Sequence, residues 1–151
     1  FRLEGEDALL VGGGYGVAPM LLLAGRALAA GQRVRVAIGA RDTGELLLAQ
    51  AFRDLGIEPV LTTDDGSAGR RGRVTEALVP LLREDPPDTL YACGPHGMLA
   101  ALALLARERG LPAQLSWEAY MRCGIGICGS CEQDGRLLCA DGPVLREDAP
   151  C

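Results

Sequence analysis

The chain has 151 residues, 48% of them hydrophobic, and its 15 basic and 20 acidic side chains give a net charge of −5. This length and composition suit one compact domain with a small appendage. Arg26 and Arg33 interrupt the longest apolar run before it reaches the roughly 18 to 20 residues of a membrane span, and no signal peptide opens the chain. The basic residues are scattered rather than clustered. We therefore expect a cytoplasmic protein that binds neither a membrane nor nucleic acid.

Strands and helices alternate along the first 117 residues. Thr43 is the expected N-cap of the second helix, and Gly56 and Gly110 are expected to end helices. Such alternation produces right-handed crossovers and a parallel sheet with helices on both faces. The sequence therefore predicts an α/β fold with a doubly wound, five-stranded parallel sheet. The patterns predict strands at 8–11, 33–38, 58–62, 89–92 and 111–117, and helices at 16–30, 43–55, 73–83 and 95–109.

The pattern changes after Trp117, because cysteine and glycine dominate the chain through Cys139. Neither a helical nor a strand pattern continues through this stretch. We therefore expect three segments: the α/β domain at 1–117, a small cysteine-rich appendage at 118–145 and a tail at 146–151.

A glycine-rich turn follows the first predicted strand. In doubly wound sheets, ligands bind where strands end and where helix N-termini present free N–H groups to phosphate. The turn departs from the Gly-x-Gly-x-x-Gly fingerprint because Pro19 takes the place of the last glycine, but proline suits the first turn of a helix. The turn predicts a phosphate site, with a ligand-free turn as the alternative. The candidate binding residues are Gly12, Gly13, Gly14, Gly16, Ala18 and Pro19.

Asp64, Asp65 and Gly66 follow the third predicted strand. A carboxylate there accepts hydrogen bonds from ribose hydroxyls and repels a 2′-phosphate, which favours NADH over NADPH. Arg41, after the second strand, argues the other way. The alternative is that all three charged side chains are solvated loop residues.

Cys93, Gly94 and Pro95 end the fourth predicted strand. Gly94 permits a ligand to approach the backbone closely, and a thiol at Cys93 would lie beside a nicotinamide ring. The alternative is a buried cysteine that acts as a small hydrophobic residue. A hydrolase that uses Cys93 and His96 is disfavoured, because the two are three residues apart at a turn and lack a third group to orient the base.

Four of the six cysteines lie within 17 residues. The pattern Cys-x4-Cys-x2-Cys, with a fourth cysteine after a loop, is the plant-type [2Fe–2S] spacing. Structural zinc is the main alternative, although zinc sites usually show paired Cys-x2-Cys knuckles and only one is present. Cys151 is not expected to be a ligand. The candidate metal ligands are Cys123, Cys128, Cys131 and Cys139.

Taken in order, these motifs resemble one family. They are Gly-Gly-Gly-x-Gly-x-Ala-Pro, Thr-Asp-Asp-Gly-Ser-x-Gly, Cys-Gly-Pro and a cysteine tail that closes with Cys-x-Asp-Gly-Pro. Over Ala8 to Val144 the chain resembles the C-terminal part of the electron-transfer subunit of B-type dihydroorotate dehydrogenases, in the ferredoxin reductase-like superfamily. The loop from Cys131 to Cys139 is shorter than this family leads us to expect.

The resemblance implies a role for each motif. The turn at 12–19 would bind the NADH pyrophosphate, Asp64 and Asp65 would lie near the adenosine ribose, and the four cysteines would hold the cluster. Cys93, the candidate catalytic residue, would face nicotinamide and flavin with Gly94 and Pro95. The family's FAD-binding N-terminal β-barrel is absent from these 151 residues. We therefore expect the chain alone to turn over poorly, because a one-electron cluster cannot accept a hydride directly.

In the whole enzyme, the resemblance implies electron flow from NADH through FAD and the cluster to FMN in a catalytic dihydroorotate dehydrogenase subunit of pyrimidine biosynthesis. Two alternatives remain. One is the small subunit of a ferredoxin:NAD(P) oxidoreductase or sulfide dehydrogenase-like complex; such relatives tend to have Asp as first ligand, so Cys123 favours the dihydroorotate enzyme. The other is a zinc-stabilised nucleotide-binding module with no redox role.

Overall fold

The structure is a computed structural model that describes residues 1–147. Within this range no helix is long and apolar enough to cross a membrane. The helices are α1 (Val17–Ala29), α2 (Ala49–Asp54), α3 (Val74–Glu84), α4 (His96–Arg109) and α5 (Leu138–Asp141), with short 3-10 turns at Gly14–Gly16 and Thr43–Glu45. The strands are β1 (Asp7–Gly13), β2 (Arg33–Ala40), β3 (Val60–Thr63), β4 (Arg70–Arg71), β5 (Thr89–Cys93), β6 (Ala113–Ser116), β7 (Glu132–Gln133), β8 (Arg136–Leu137) and β9 (Val144–Glu147).

The main sheet confirms the expected α/β fold. Its strand order is β4-β3-β2-β1-β5-β6-β9, and all neighbouring strands are parallel except β6 and β9. The chain winds outward from β1 to β3 and then returns to place β5 on the other side of β1. The five predicted strands form the centre of the sheet, while β4 and β9 are additions at its two edges.

Both faces of the sheet are buried, as its parallel topology requires. Along β1, Ala8 and Leu10 pack with residues of α1 and α2, whereas Leu9 and Val11 pack with residues of α3 and α4. Alternate side chains of one strand therefore contribute to two separate hydrophobic clusters.

The helix predicted at 43–55 is wrong. The structure has the 3-10 turn at Thr43–Glu45 and then the short α2, with Leu48 between them in the left-handed conformation at φ 60°. A continuous α-helix cannot include such a residue. Asp42, rather than Thr43, caps the turn, because its carboxylate accepts hydrogen bonds from the backbone N–H groups of Gly44 and Glu45.

The cysteine-rich segment returns to the main sheet. After β6 the chain runs irregularly to the β7–β8 hairpin, passes through α5 and adds β9 antiparallel to β6. Cys131 and Leu138 are buried in the same cluster as α4 and Trp117. The segment is therefore packed against the nucleotide-binding domain, and β9 is a strand that the sequence pattern did not predict.

One buried carboxylate joins this segment to α4. The side chain of Glu147 is 4% exposed, and its Oε2 accepts hydrogen bonds from Arg107 of α4 at 3.1 and 2.5 Å. Its Oε1 accepts from Arg136 of the hairpin at 3.2 Å. Glu147 therefore connects α4 to the β7–β8 hairpin and to β9, the strand that follows Cys139.

Replacing Glu147 with Ala is expected to destabilise the chain by about 2 to 3 kcal/mol, the cost of losing hydrogen bonds to charged partners. A lower urea midpoint would show this loss. The control is Glu58→Ala, which removes an exposed partner of Arg53 and should barely move the midpoint. Equal midpoints for the two variants would contradict a structural role for Glu147.

Candidate nucleotide cleft and cysteine site

A cleft of about 620 Å³ opens at the carboxyl ends of the parallel strands. It follows the crevice between β1 and β5, where the winding direction of the sheet changes and where ligands of doubly wound folds bind. Six of the candidate nucleotide-binding residues line it: Gly13, Gly14, Gly16, Asp64, Gly94 and Pro95.

The glycine-rich turn is pressed against the end of β5. A Cβ atom on Gly16 would overlap the carbonyl group of Cys93 and lie 2.6 Å from the backbone nitrogen of Gly94. Gly94 itself has φ 159°, and a Cβ there would lie 3.0 Å from the Gly13 backbone. Only glycines allow these two chain segments to meet, and their contact forms the floor of the cleft.

Charged side chains line the cleft beyond the ends of β2 and β3. Arg41 and Asp64 follow these strands, and Arg73 lies at the N-terminus of α3. Arg41 forms an exposed ion pair with Glu45 at 3.5 Å. Asp64 is exposed and faces the cleft, so it is available to a ribose hydroxyl. Both carboxylates and guanidinium groups therefore line this end of the cleft. Because the two kinds of group favour different nucleotides, the preference for NADH over NADPH stays a prediction.

The other candidates lie around the cleft rather than on its lining. Gly12 is buried in β1, and Ala18 and Pro19 are exposed in the first turn of α1. Gly66 is exposed in the turn after β3. Asp65 accepts a hydrogen bond from the Ser67 backbone N–H at 2.8 Å. Hydrogen bonds from the Ser67 side chain and backbone lower the pKa of the Asp65 carboxyl. Asp65 therefore shapes the loop itself.

Several lining residues were not among the candidates. Arg73, Thr75, Met98 and Glu118 come from the starts of α3 and α4 and from the segment after β6. The only available sequence signal was the position of each at the start of a helix or the end of a strand. Tyr15, inside the predicted turn, also lines the cleft.

Cys93 is 7% exposed and packs in the cluster on the α1 face. Burial raises the pKa of its thiol, and a hydrogen bond with Ser116 only partly opposes this effect. The thiol is therefore protonated at neutral pH and is a poor nucleophile. Its catalytic role stays a prediction, and the geometry favours packing at the base of the cleft.

We expect Cys93 to resist alkylation in the folded chain. Iodoacetamide reacts with thiolates, so at pH 8 Cys93 should remain unmodified natively and react fully in urea. Peptide mass spectrometry after each treatment measures this directly. Rapid native labelling of Cys93 would show instead that its thiol is accessible and ionised.

The four candidate ligands lie together in two pairs. The thiols of Cys123 and Cys128 interact directly, as do those of Cys131 and Cys139, and the charges of Cys123 and Cys139 also influence each other. Among residues 1–147, no three Cys, His, Asp or Glu side chains are arranged to enclose a single metal ion. Two cysteines for each of two irons is the arrangement that a four-cysteine [2Fe–2S] cluster requires.

Backbone amides around the loop point toward the sulfur atoms. N–H groups of Ile125, Cys128 and Ile127 lower the pKa of Cys123 to about 6. The N–H of Gly126 donates to Cys139 Sγ at 3.3 Å. Such hydrogen bonds stabilise thiolates and are typical of the loops that surround iron–sulfur clusters. The residues present therefore fit the cluster.

Ser130 orders the same loop. Its Oγ lies 3.1 Å from Cys128 Sγ and accepts a hydrogen bond from the backbone N–H of Arg122 at 3.4 Å. Its hydroxyl also donates to the Tyr120 carbonyl at 3.1 Å. Hydrogen bonds with Ser130 lower the pKa of Cys128. Cys151 lies outside the described residues.

Residues 10–103 match the model of the oxidoreductase NAD-binding domain. The chain belongs to this family. Beyond this domain, residues 118–149 match the iron–sulfur cluster binding domain of dihydroorotate dehydrogenase B. The resemblance expected from the motifs is therefore confirmed, and the NAD-binding domain and the cysteine segment are consecutive in one chain.

Two curated relatives match nearly the whole chain. The chain is 44% identical to the probable dihydroorotate dehydrogenase B (NAD(+)), electron transfer subunit of Methanothermobacter thermautotrophicus, over 96% of this chain and 54% of that protein. It is 41% identical to the corresponding subunit of Caldanaerobacter subterraneus, over 95% and 58%. The chain thus spans little more than half the length of these relatives.

A solved structure has the same fold. It is that of an NADH-dependent reduced ferredoxin-NADP oxidoreductase, in which the matching chain is 36% identical. The TM-score is 0.78, and the match covers 94% of this chain and 53% of that one. The match therefore extends beyond the α/β domain into the cysteine-rich segment of this chain.

Proposed function

We propose that this chain is the nucleotide- and cluster-binding part of an electron-transfer subunit that delivers electrons from NADH to the FMN of a dihydroorotate dehydrogenase catalytic subunit. The observation that carries the proposal is the short path between the two sites. Glu118 lines the cleft and Cys123 follows five residues later. Five residues span at most about 18 Å, so a bound nucleotide and the cysteine loop are close neighbours.

Packing also connects the two sites. The Trp117 ring lies in the buried cluster with Cys131 and Leu138, and its centroid is 5.0 Å from that of His96. His96 begins α4 directly after Gly94 and Pro95 of the cleft. Trp117 thus contacts both the start of α4 beside the cleft and the buried cluster that includes Cys131.

Each group of residues has a definite task in this proposal. The turn at 12–16 and the start of α1 bind the pyrophosphate through backbone N–H groups, and Asp64 accepts hydrogen bonds from the adenosine ribose. The pairs Cys123–Cys128 and Cys131–Cys139 hold the [2Fe–2S] cluster. When bound, NADH supplies a hydride and the cluster supplies one-electron transfer, so a flavin is required between them. We assign this flavin to FAD, held mainly by a part of the enzyme outside these 151 residues.

An exposed apolar surface beside the cysteines fits the proposed partner subunit. Four large apolar side chains within eight residues are exposed there: Tyr120, Met121, Ile125 and Ile127. Several large apolar side chains exposed in one short segment indicate an interaction site. A catalytic subunit docked on this surface would approach Cys128, which is itself exposed. The described cysteines are all free of disulfides, which is typical of a reducing compartment and supports placing the protein in the cytoplasm.

The first test is anaerobic expression followed by metal analysis and nucleotide titration. We expect about two irons and two sulfides for each chain, a visible spectrum that bleaches with dithionite, and tighter binding of NADH than of NADPH. A colourless protein with one tightly held zinc would refute the electron-transfer role and leave a zinc-stabilised nucleotide-binding module.

The acceptor requires a second test. The solved ferredoxin-NADP oxidoreductase relative favours a ferredoxin-linked complex as the second candidate. We expect the flavin-complete subunit to support NADH-dependent reduction of orotate when it is mixed with a dihydroorotate dehydrogenase catalytic subunit. Reduction of ferredoxin, with no orotate activity, would establish the second candidate instead.

A further inference from the structure

Tyr15 is the only residue with a side chain in the turn from Gly12 to Gly16, and this side chain is 89% exposed. Single exposed hydrophobic residues on a convex surface need no explanation. Tyr15 differs because it lines the cleft, where a ring bound to the enzyme would lie within reach. The turn therefore presents one aromatic ring next to a part of the cleft that is formed by glycine backbone.

The position of the turn decides which end of the cleft this ring occupies. Gly16, the next residue, is in contact with Cys93 and Gly94 at the end of β5. The charged residues Arg41 and Asp64 follow β2 and β3, on the opposite side of β1. Tyr15 is therefore at the β5 side, away from the end that we assign to the adenosine ribose.

We propose that the Tyr15 ring stacks on the planar heteroaromatic ring bound at the β5 end of the cleft, and that this ring is the nicotinamide of NADH. The inference rests on the proposed function and adds a positioning residue to its nucleotide site. An aromatic ring offset over a heteroaromatic face holds that face in a fixed orientation without requiring a hydrogen bond. The tight contact of Gly16 with β5 keeps the backbone beneath the tyrosine in place, so the ring is attached at a fixed point of the cleft.

Calorimetric titration of the 151-residue chain and its variants tests the proposal. The ligands are NADH, AMP as its adenosine half, and FMN as an alternative heteroaromatic ring. We expect Tyr15→Ala to weaken NADH binding about tenfold, as for other stacked bases, and to leave AMP binding unchanged. Tyr15→Phe keeps the ring and should bind NADH like the parent chain. The control is Leu22→Ala, which removes an exposed apolar side chain of α1 outside the cleft lining.

Four outcomes would overturn the proposal. Unchanged NADH affinity in Tyr15→Ala would show that the ring contacts no part of the nucleotide. Equal losses of NADH and AMP would place the effect at the adenosine half or in the fold. Loss of FMN alone would assign the ring to the flavin rather than to nicotinamide. If the parent chain binds neither NADH nor AMP, the nucleotide site of the proposed function fails together with the inference, which separates that result from the other three.

Discussion

Serine in place of Cys131 is expected to abolish stable cluster binding. Cys131 is 3% exposed and is packed with Trp117 and Leu138, so its side chain is held in place by the surrounding core. A neutral hydroxyl is a far poorer ligand for iron than a thiolate, and one iron would retain a single cysteine of its pair. Iron and sulfide should fall from about two of each to near zero, and the visible absorption should disappear.

The control for this variant is Cys93→Ser, which makes the same substitution at another buried cysteine. Cys93 lies on the opposite face of the sheet, in the cluster that includes α1. Replacing it with serine should therefore leave the iron content unchanged. Because a buried serine costs stability in either place, circular dichroism of both variants is needed to confirm that they fold. If Cys131→Ser folds and keeps two irons, Cys131 is not a ligand and the pairing is wrong.

The central sheet was predictable from sequence because each strand is buried on both faces. Runs such as Ala8–Val11 are continuously apolar, and helical segments of about a dozen residues separate them. This pattern leaves a parallel sheet as the consistent solution, and the structure has it. The spacing of the four cysteines is itself a chemical signal, and their assignment as cluster ligands stays a prediction.

Local prediction failed where a distant contact determines the backbone. The segment at 43–55 has helical periodicity, yet the N–H and hydroxyl of Thr43 both donate to Ser67 Oγ at 2.8 Å. This contact ties the start of the segment to the loop after β3, and the chain turns again at Leu48. No pattern within the segment records a partner 24 residues away.

The same limitation applies to β9 and to the cleft lining. Val144–Glu147 is short, and it becomes a strand only because β6 offers an open edge and Glu147 finds Arg107 and Arg136. Arg73 and Glu118 are 45 residues apart, and only the topology brings both to one cleft. Sequence reasoning predicted a cleft at the ends of the strands, but it could not choose among the side chains that meet there.

Gly16→Ala is expected to disable the nucleotide site. The new methyl group would overlap the Cys93 carbonyl group, which is backbone at the end of β5 and is held between β1 and β6. The turn must therefore shift off β5, at a cost of about 1 to 3 kcal/mol in stability. Since the same shift moves the N–H groups that would hold the pyrophosphate, affinity for both NADH and AMP should fall at least tenfold.

Gly25→Ala is the matched control, because it makes the same change within α1, nine residues further along. No atom lies within 4 Å of the Cβ it would add, so the substitution should stabilise the chain by about 0.5 to 1 kcal/mol through helix propensity alone. In Gly25→Ala the urea midpoint should therefore rise and the nucleotide affinity should stay unchanged. In Gly16→Ala both the midpoint and the affinity should fall. If Gly16→Ala binds NADH as tightly as the parent chain, the turn is not held against β5 as the structure has it, and the pyrophosphate must bind elsewhere.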